Sequence, residues 1–442
     1  MIYTLARLFL ISTALSVPLP VAAQMPDAKA PYSTIEVTST GDQFKSWTPK
    51  MHNGSKVLVS PAISAPAGGE LNHHRITAVF EGSGKLEVTV AHHGSDKLDN
   101  ALAAKHLTRG YRTAVSGQEM RFAVPYKGHR YVWVILKPTG ELTVKGVRLR
   151  SWQGLGTLYG HVGEIYTYDG GKLPYRLMYP RNYNPDKRYP LVISVSGSGG
   201  VGADNRRNME MVILARHLFT NYWFDEDFEC FSLVPQIPTS QNTPKGWWPN
   251  GEKGGPEGPW HPDWAAVNEN SWYTQGSIAL VKDLLKSRAI SIDPDRIYFS
   301  GFSYGGKAIW EFLKADRELF AAGIGVAGWP MGRAYSNPEG KLLERLKQEV
   351  QRYKHVPVLV MAGEKDSMRY GSKAAAEAIR QAGGKAEYIE FPGASHVQSA
   401  GRAWGKKEHI EWLFSQHRRK NPRPGPDPFP GGKYDQSEPD QK

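Results

Sequence analysis

The chain has 442 residues, of which 40% are hydrophobic, 22% charged and 11% aromatic. That composition excludes a disordered chain, no repeat period marks a solenoid, and the length predicts two domains. The 55 Lys+Arg against 43 Asp+Glu give a net charge of +12. Scattered basic charge without a nucleic-acid motif does not point to a nucleic-acid partner, and it equally suits an acidic polymer or a cell envelope. The single cysteine, Cys230, cannot form an internal disulfide, so stability must come from buried cores; its place in an apolar run makes it a core residue.

Residues 1–23 read as a secretory signal peptide. One Arg precedes an apolar stretch over 8–17, and Val21-Ala22-Ala23 supplies the small residues of a cleavage site after Ala23. This predicts a secreted or periplasmic mature protein. The apolar stretch is too short to span a bilayer and no other segment approaches that length, so no membrane span is expected.

Over 32–152 short alternating runs follow one another at 56–60, 75–80, 85–90, 131–136 and 141–149. Turn signals such as Gly82-Ser83-Gly84 and Pro138-Thr139-Gly140 separate them, and one helical turn is expected near 98–106. The pattern predicts an all-β sandwich. The block resembles the jelly-roll modules attached to carbohydrate-active enzymes, which makes it a candidate carbohydrate-binding domain, although no motif in it is specific. The pairs His73-His74 and His92-His93 do not signal a metal. Neighbouring strand residues point to opposite faces, so solvated or half-buried positions are expected and no metal or other cofactor.

From 160 to 419 strands and helices alternate. Strands are expected at 165–168, 175–179, 189–195, 229–235, 296–300, 322–328, 356–362 and 386–391. Helices are expected at 206–219, around Ile278, Val281, Leu284 and Leu285, and at 305–314, 341–352, 372–381 and 406–417. Such alternation predicts an α/β fold: a mostly parallel sheet with helices on both faces. The Pro-, Gly- and charge-rich tail, 421–442, is expected to be disordered.

The strongest chemical signal is Gly301-Phe302-Ser303-Tyr304-Gly305-Gly306 between a predicted strand and a predicted helix. A tight strand-to-helix turn exposes a serine hydroxyl, and glycines two residues to either side let the backbones pass closely. Ser303 is therefore the candidate nucleophile. A serine needs an oriented base, and in this context the acid and the histidine follow in that order at later strand ends. The strand at 356–362 runs into Gly363-Glu364-Lys365-Asp366, where Asp366 is the expected acid and Glu364 the alternative. The loop after the next strand carries His396, the expected base. Ser196-Gly197-Ser198-Gly199-Gly200 follows the first long apolar strand. Its Ser198 N–H, or that of Gly199 beside it, would form an oxyanion hole with the N–H of Tyr304. The same loop satisfies G-x-G-x-x-G, but the next strand ends in Val234-Pro235-Gln236 without the carboxylate a dinucleotide ribose requires. Between the strand near Phe231 and the helix after Tyr273 lies an aromatic insertion holding Trp247, Trp248 and Trp260. These, with Trp329, are candidate substrate-binding residues; a self-packed lid is the competing reading.

These motifs resemble the α/β-hydrolase superfamily over 163–419. The similarity is greatest to the secreted esterases grouped as predicted peptidases, of the polyhydroxybutyrate-depolymerase-like and feruloyl or acetylxylan esterase type. SGSGG at 196–200, GFSYGG at 301–306, GEKD at 363–366 and PGASH at 392–396 carry the resemblance. The chain departs from that group at Ser196-Gly197, where relatives usually have His-Gly. The resemblance implies a serine esterase without metal or cofactor, acting on a polysaccharide or small ester (acetyl, feruloyl or uronoyl). A serine peptidase and a catalytically silent carbohydrate-binding protein are the alternatives. The sequence does not determine an oligomeric state.

Overall fold

The structure is a computed structural model that describes residues 32–65, 69–102, 110–123, 129–155, 157–223, 225–239, 244, 267–287, 289–331 and 337–425. The expected signal peptide, Trp247, Trp248, Trp260 and the tail from 426 onward lie outside the described residues.

The first portion is antiparallel. It contains β1 (Tyr32–Thr40), β2 (Thr48–His52), β3 (Ser55–Val59), β4 (Ile63–Ser64), β5 (Gly69–Glu81), β6 (Lys85–His93), helix α1 (Leu98–Ala101), β7 (Arg112–Thr113), β8 (Glu119–Ala123), β9 (Tyr131–Thr139) and β10 (Thr143–Leu155). One sheet has the order β1-β10-β5-β8 and the other β2-β3-β9-β6-β7, with β4 also paired to β9. Alternation fills the space between them. Ile76, Val147 and Leu149 of the first sheet meet Val88, Val90, Val134 and Leu136 of the second in one core. The opposite face of β9 is also buried, because Trp133 and Ile135 pack with Val57, Val59 and Ala101 in a smaller cluster. This is why β9 is apolar at consecutive positions.

The second portion contains β11 (Thr157–Leu158), β12 (His161–Tyr168), β13 (Gly171–Met178), β14 (Tyr189–Val195), α2 (Arg207–Met211), α3 (Ile213–His217), β15 (Phe231–Pro235), α4 (Trp272–Lys286), β16 (Ile292–Phe302), α5 (Tyr304–Ala315), β17 (Ala322–Val326), α6 (Gly340–Val350), β18 (Val358–Gly363), α7 (Arg369–Gln381), β19 (Ala386–Phe391), α8 (His396–Gly405) and α9 (Lys407–Phe414). The sheet order is β11-β12-β13-β15-β14-β16-β17-β18-β19. The β11–β12, β12–β13 and β13–β15 pairings are antiparallel, and from β15 onward all are parallel. The architecture is that of the α/β-hydrolase fold preceded by an antiparallel β portion. The strands β14, β15, β17 and β18 are buried throughout, as expected of a parallel sheet covered by helices on both faces. Among the described residues no helix is long and apolar enough to cross a membrane.

Three departures from the sequence pattern have tertiary causes. The single helix expected over 206–219 is broken at Val212 into α2 and α3 and ends in a π-turn, Leu218–Tyr222. Buried Asn208 donates its Nδ2 to the Val234 carbonyl and so holds α2 on β15. The π-turn brings Phe219 and Trp223 against His73 of β5, with ring centroids 4.0 and 4.7 Å apart. Of the paired histidines only His93 is half-buried as expected; His73 and His74 are fully buried and His92 nearly so. Thirdly, residues 421–425 of the expected disordered tail are held in place. Asn421 donates Nδ2 to the Ala321 carbonyl, and Arg317 donates to the carbonyl of Gly425.

Two buried histidines make the fold acid-sensitive. Burial lowers the pKa of His74, whose Nδ1 bonds to Ser151 Oγ, to about 3. His161, bonded to the Tyr159 carbonyl and to Ser232 Oγ, is lowered by burial to about 3. Both pKa values lie below the unfolded value near 6.5, so between these limits the unfolded chain binds more protons than the folded one. Their contribution is therefore complete above pH 6.5 and shrinks as pH falls, by about 1.4 kcal/mol per pH unit for each histidine. Urea unfolding between pH 7 and 4.5 is expected to show this slope, reduced in His74→Phe.

Candidate active site

Ser303 occupies the turn between β16 and α5 with φ 56° and ψ −113°. This is the left-handed side of backbone space, costly for a residue with a side chain. It persists because neighbouring backbones enclose it: the Ser303 N–H donates to the Val326 carbonyl at 2.9 Å. The flanking glycines are steric requirements. A Cβ at Gly301 would lie 2.0 Å from the Gly305 carbonyl oxygen, one at Gly305 2.2 Å from that of Val195, and one at Gly306 2.5 Å from that of Val326. Gly301→Ala is therefore expected to destabilise the fold by about 3 kcal/mol or more, read as a lower urea midpoint.

The next parallel strands deliver the partners. β18 ends at Gly363, and three residues on, Asp366 is almost fully buried, with 3% of its side chain exposed. Its Oδ1 accepts the Met368 N–H at 3.0 Å and its Oδ2 accepts from His396 Nδ1 at 2.8 Å. His396 Nε2 stands 2.9 Å from Ser303 Oγ. A carboxylate only accepts, so Nδ1 carries the proton and Nε2 is left to accept the serine O–H. Glu364, the alternative acid, is exposed and its Oε2 accepts the Gly393 N–H at 2.6 Å, tying the two loops together.

His396 is the first residue of α8, a helix the hydrophobic pattern did not suggest. The signal for it is a capping box: Ser395 precedes the helix and its N–H donates to Gln398 Oε1 at 2.9 Å. The imidazole lies beside the Phe302 ring, centroids 4.8 Å apart, and keeps 38% side-chain exposure.

The glycine-rich loop passes against the serine: a Cβ at Gly197 would lie 3.6 Å from Ser303 Cβ. Ser198 opens a 3-10 turn, Ser198–Gly200, and Tyr304 opens α5. The first N–H groups of a helical turn point out along its axis, the orientation that suits an anion. Buried Gln236 secures this loop, a role sequence reasoning did not foresee. Its Nε2 donates to the Gly200 carbonyl and to Asp204 Oδ1, and its Oε1 accepts the Asn205 N–H. The residue that lacks the carboxylate of a dinucleotide site is thus a strut.

Trp329 needs a correction. Its indole is fully buried against α7, where a Cβ at Gly371 would come within 2.3 Å of it, so it packs the core and is not an exposed pocket wall. Buried charge fixes the chain where it returns after the aromatic insertion. Lys307, one turn after Ser303, donates to the Val267 carbonyl at 2.8 Å, and Arg352 pairs with Glu269 at 2.7 Å. Cys230 is buried, which pushes its thiol pKa up and keeps it protonated. Among the described residues no cluster of His, Cys, Asp or Glu could hold a metal ion.

No protein-family model and no curated protein matches the chain. Solved structures of similar fold include a thermostable esterase, 21% identical with a TM-score of 0.44, covering 82% of this chain and 95% of that one. An acylaminoacyl peptidase from Pyrococcus horikoshii is 14% identical with a TM-score of 0.41, covering 59% of this chain and 42% of that one. A ferulic acid esterase from the anaerobic fungus Anaeromyces mucronatus is 15% identical with a TM-score of 0.39, covering 58% and 90%.

Proposed function

We propose that this chain is an exported serine carboxylic-ester hydrolase acting on ester-substituted polysaccharide through Ser303, His396 and Asp366. The observation that carries the reading is the continuous hydrogen-bonded series, Asp366 Oδ2 to His396 Nδ1 at 2.8 Å and Nε2 to Ser303 Oγ at 2.9 Å, with the serine held at φ 56°. In this mechanism Ser303 Oγ attacks the ester carbonyl while His396 Nε2 takes its proton. Asp366 keeps the imidazole in the required tautomer and stabilises its positive charge. The backbone N–H groups of Ser198 and Tyr304 hold the oxyanion, His396 returns the proton to the leaving alcohol, and water repeats the sequence on the acyl-enzyme. No step calls for a cofactor.

The substrate class is supported by the leader-like N-terminus, the attached β portion and the aromatic insertion. Purified protein is tested on p-nitrophenyl esters, acetylated xylan, methyl ferulate, a methyl uronate and peptide anilides. Turnover of the polysaccharide and sugar esters is the expected result. Exclusive cleavage of anilides would replace the reading with a peptidase.

A further inference from the structure

The β portion contains a cavity that the ester hydrolysis does not use. It has a volume of about 620 Å³ and opens between the two sheets on the side where β1 forms an edge. Its walls are apolar: Ile35 and Val37 of β1, Val147 and Leu149 of β10, Val134 of β9, and Trp47. In a chain with 22% charged residues, no charged side chain lines it among the described residues.

Its mouth is formed by two irregular segments. One is the 3-10 turn Gly41–Ser46; the other is the break between β3 and β4 at Ser60-Pro61-Ala62. Pro61 has no N–H to offer a ladder. Ser60 bridges the break by accepting the Val134 N–H on its Oγ at 2.9 Å and donating that hydroxyl to the Pro61 carbonyl. The ladder of this sheet is interrupted there, and the cavity lies beside the break.

Part of the polar rim is engaged internally. Ser39 Oγ accepts the Trp47 indole N–H at 3.3 Å, Gln43 Oε1 accepts the Thr40 N–H at 2.7 Å, and Ser60 Oγ is used as above. A sugar would bring a hydroxyl to nearly every edge, and those turned to Ile35, Val134, Val147 and Leu149 would be left unpaired. A neutral aromatic ring has no such requirement, fits the volume, and can lie against Trp47. We propose that this cavity binds one uncharged aryl group, of a phenol or an aryl ester, and that the β portion recognises aromatic substituents rather than the glycan chain.

The test uses the full chain carrying Ser303→Ala, so that no ester is consumed. It is titrated with p-cresol and methyl benzoate, and with methyl β-xyloside for contrast, by calorimetry and by following indole N–H resonances. Two further substitutions alter the cavity at exposed positions: Val37→Asp puts a charge in the wall, and Ala62→Trp fills the mouth. Both aromatics are expected to saturate with Kd of about 1 mM or tighter and to shift the Trp47 resonance, with binding at least about tenfold weaker in both variants. Absence of saturation would overturn the proposal. So would equal affinity in both variants with an unmoved Trp47 signal, which would place the ring elsewhere, or tighter binding of the xyloside, which would make the cavity a sugar site. None of these outcomes depends on ester turnover, so failure here is separate from failure of the hydrolase reading.

Discussion

Ser303→Ala is expected to lower kcat for a short p-nitrophenyl ester by about a millionfold. The hydroxyl that His396 Nε2 faces at 2.9 Å is the only group removed. The substitution deletes one oxygen from a partly exposed position and leaves the φ of 56° to be borne by another non-glycine residue, so the thermal midpoint should be nearly unchanged. Steady-state rates and a melting curve on the same preparation check both parts. A variant that keeps ester turnover within a few-fold of the parent would remove Ser303 from the mechanism.

Asp366→Asn is expected to cost about 10⁴ in kcat. The asparagine amide fits the same space, but it can present an N–H where the carboxylate presented a lone pair. His396 Nδ1 then becomes the acceptor, the proton moves to Nε2, and the imidazole can no longer take the serine proton. Glu364→Gln is the control. Gln retains an acceptor for the Gly393 N–H, and residue 364 is exposed and bonded away from the imidazole, so its effect should stay within about threefold. Equal losses from the two variants, measured as kcat under saturating ester, would show that burial and geometry do not select the acid.

Much of the α/β portion was legible because its signals are local. The β14 and β18 runs are apolar at nearly every position, as strands covered on both faces must be, and Gly301-Phe302-Ser303-Tyr304-Gly305 states its own sterics. The weaker readings share a cause. β1 and β8 give a weak signal, since edge strands carry few inward apolar residues, Ile35 and Val37 in the case of β1. α8 gives little signal because its buried apolar positions are two alanines and one tryptophan, and only the Ser395–Gln398 cap announces it. The break between α2 and α3 has no glycine or proline to mark it; Asn208 ties α2 to β15, and His73 of the β portion packs on Phe219 and Trp223 where the segment ends in its π-turn.

Amino-acid order alone determined the alternation of strands and helices and the serine on its glycine turn, because each depends on neighbours a few residues apart. Which carboxylate meets His396 was not determined in that way. Asp366 and Glu364 differ by two positions in one loop, and only the packed sheet buries the first beside the imidazole and sends the second to Gly393. Nor could order show that Gln236 braces the glycine loop, that Trp329 lies inside the core, or that the two β-sheets part around a cavity. Those outcomes depend on which distant backbones approach and how well their surfaces fill space, quantities that exist only once the chain has closed on itself.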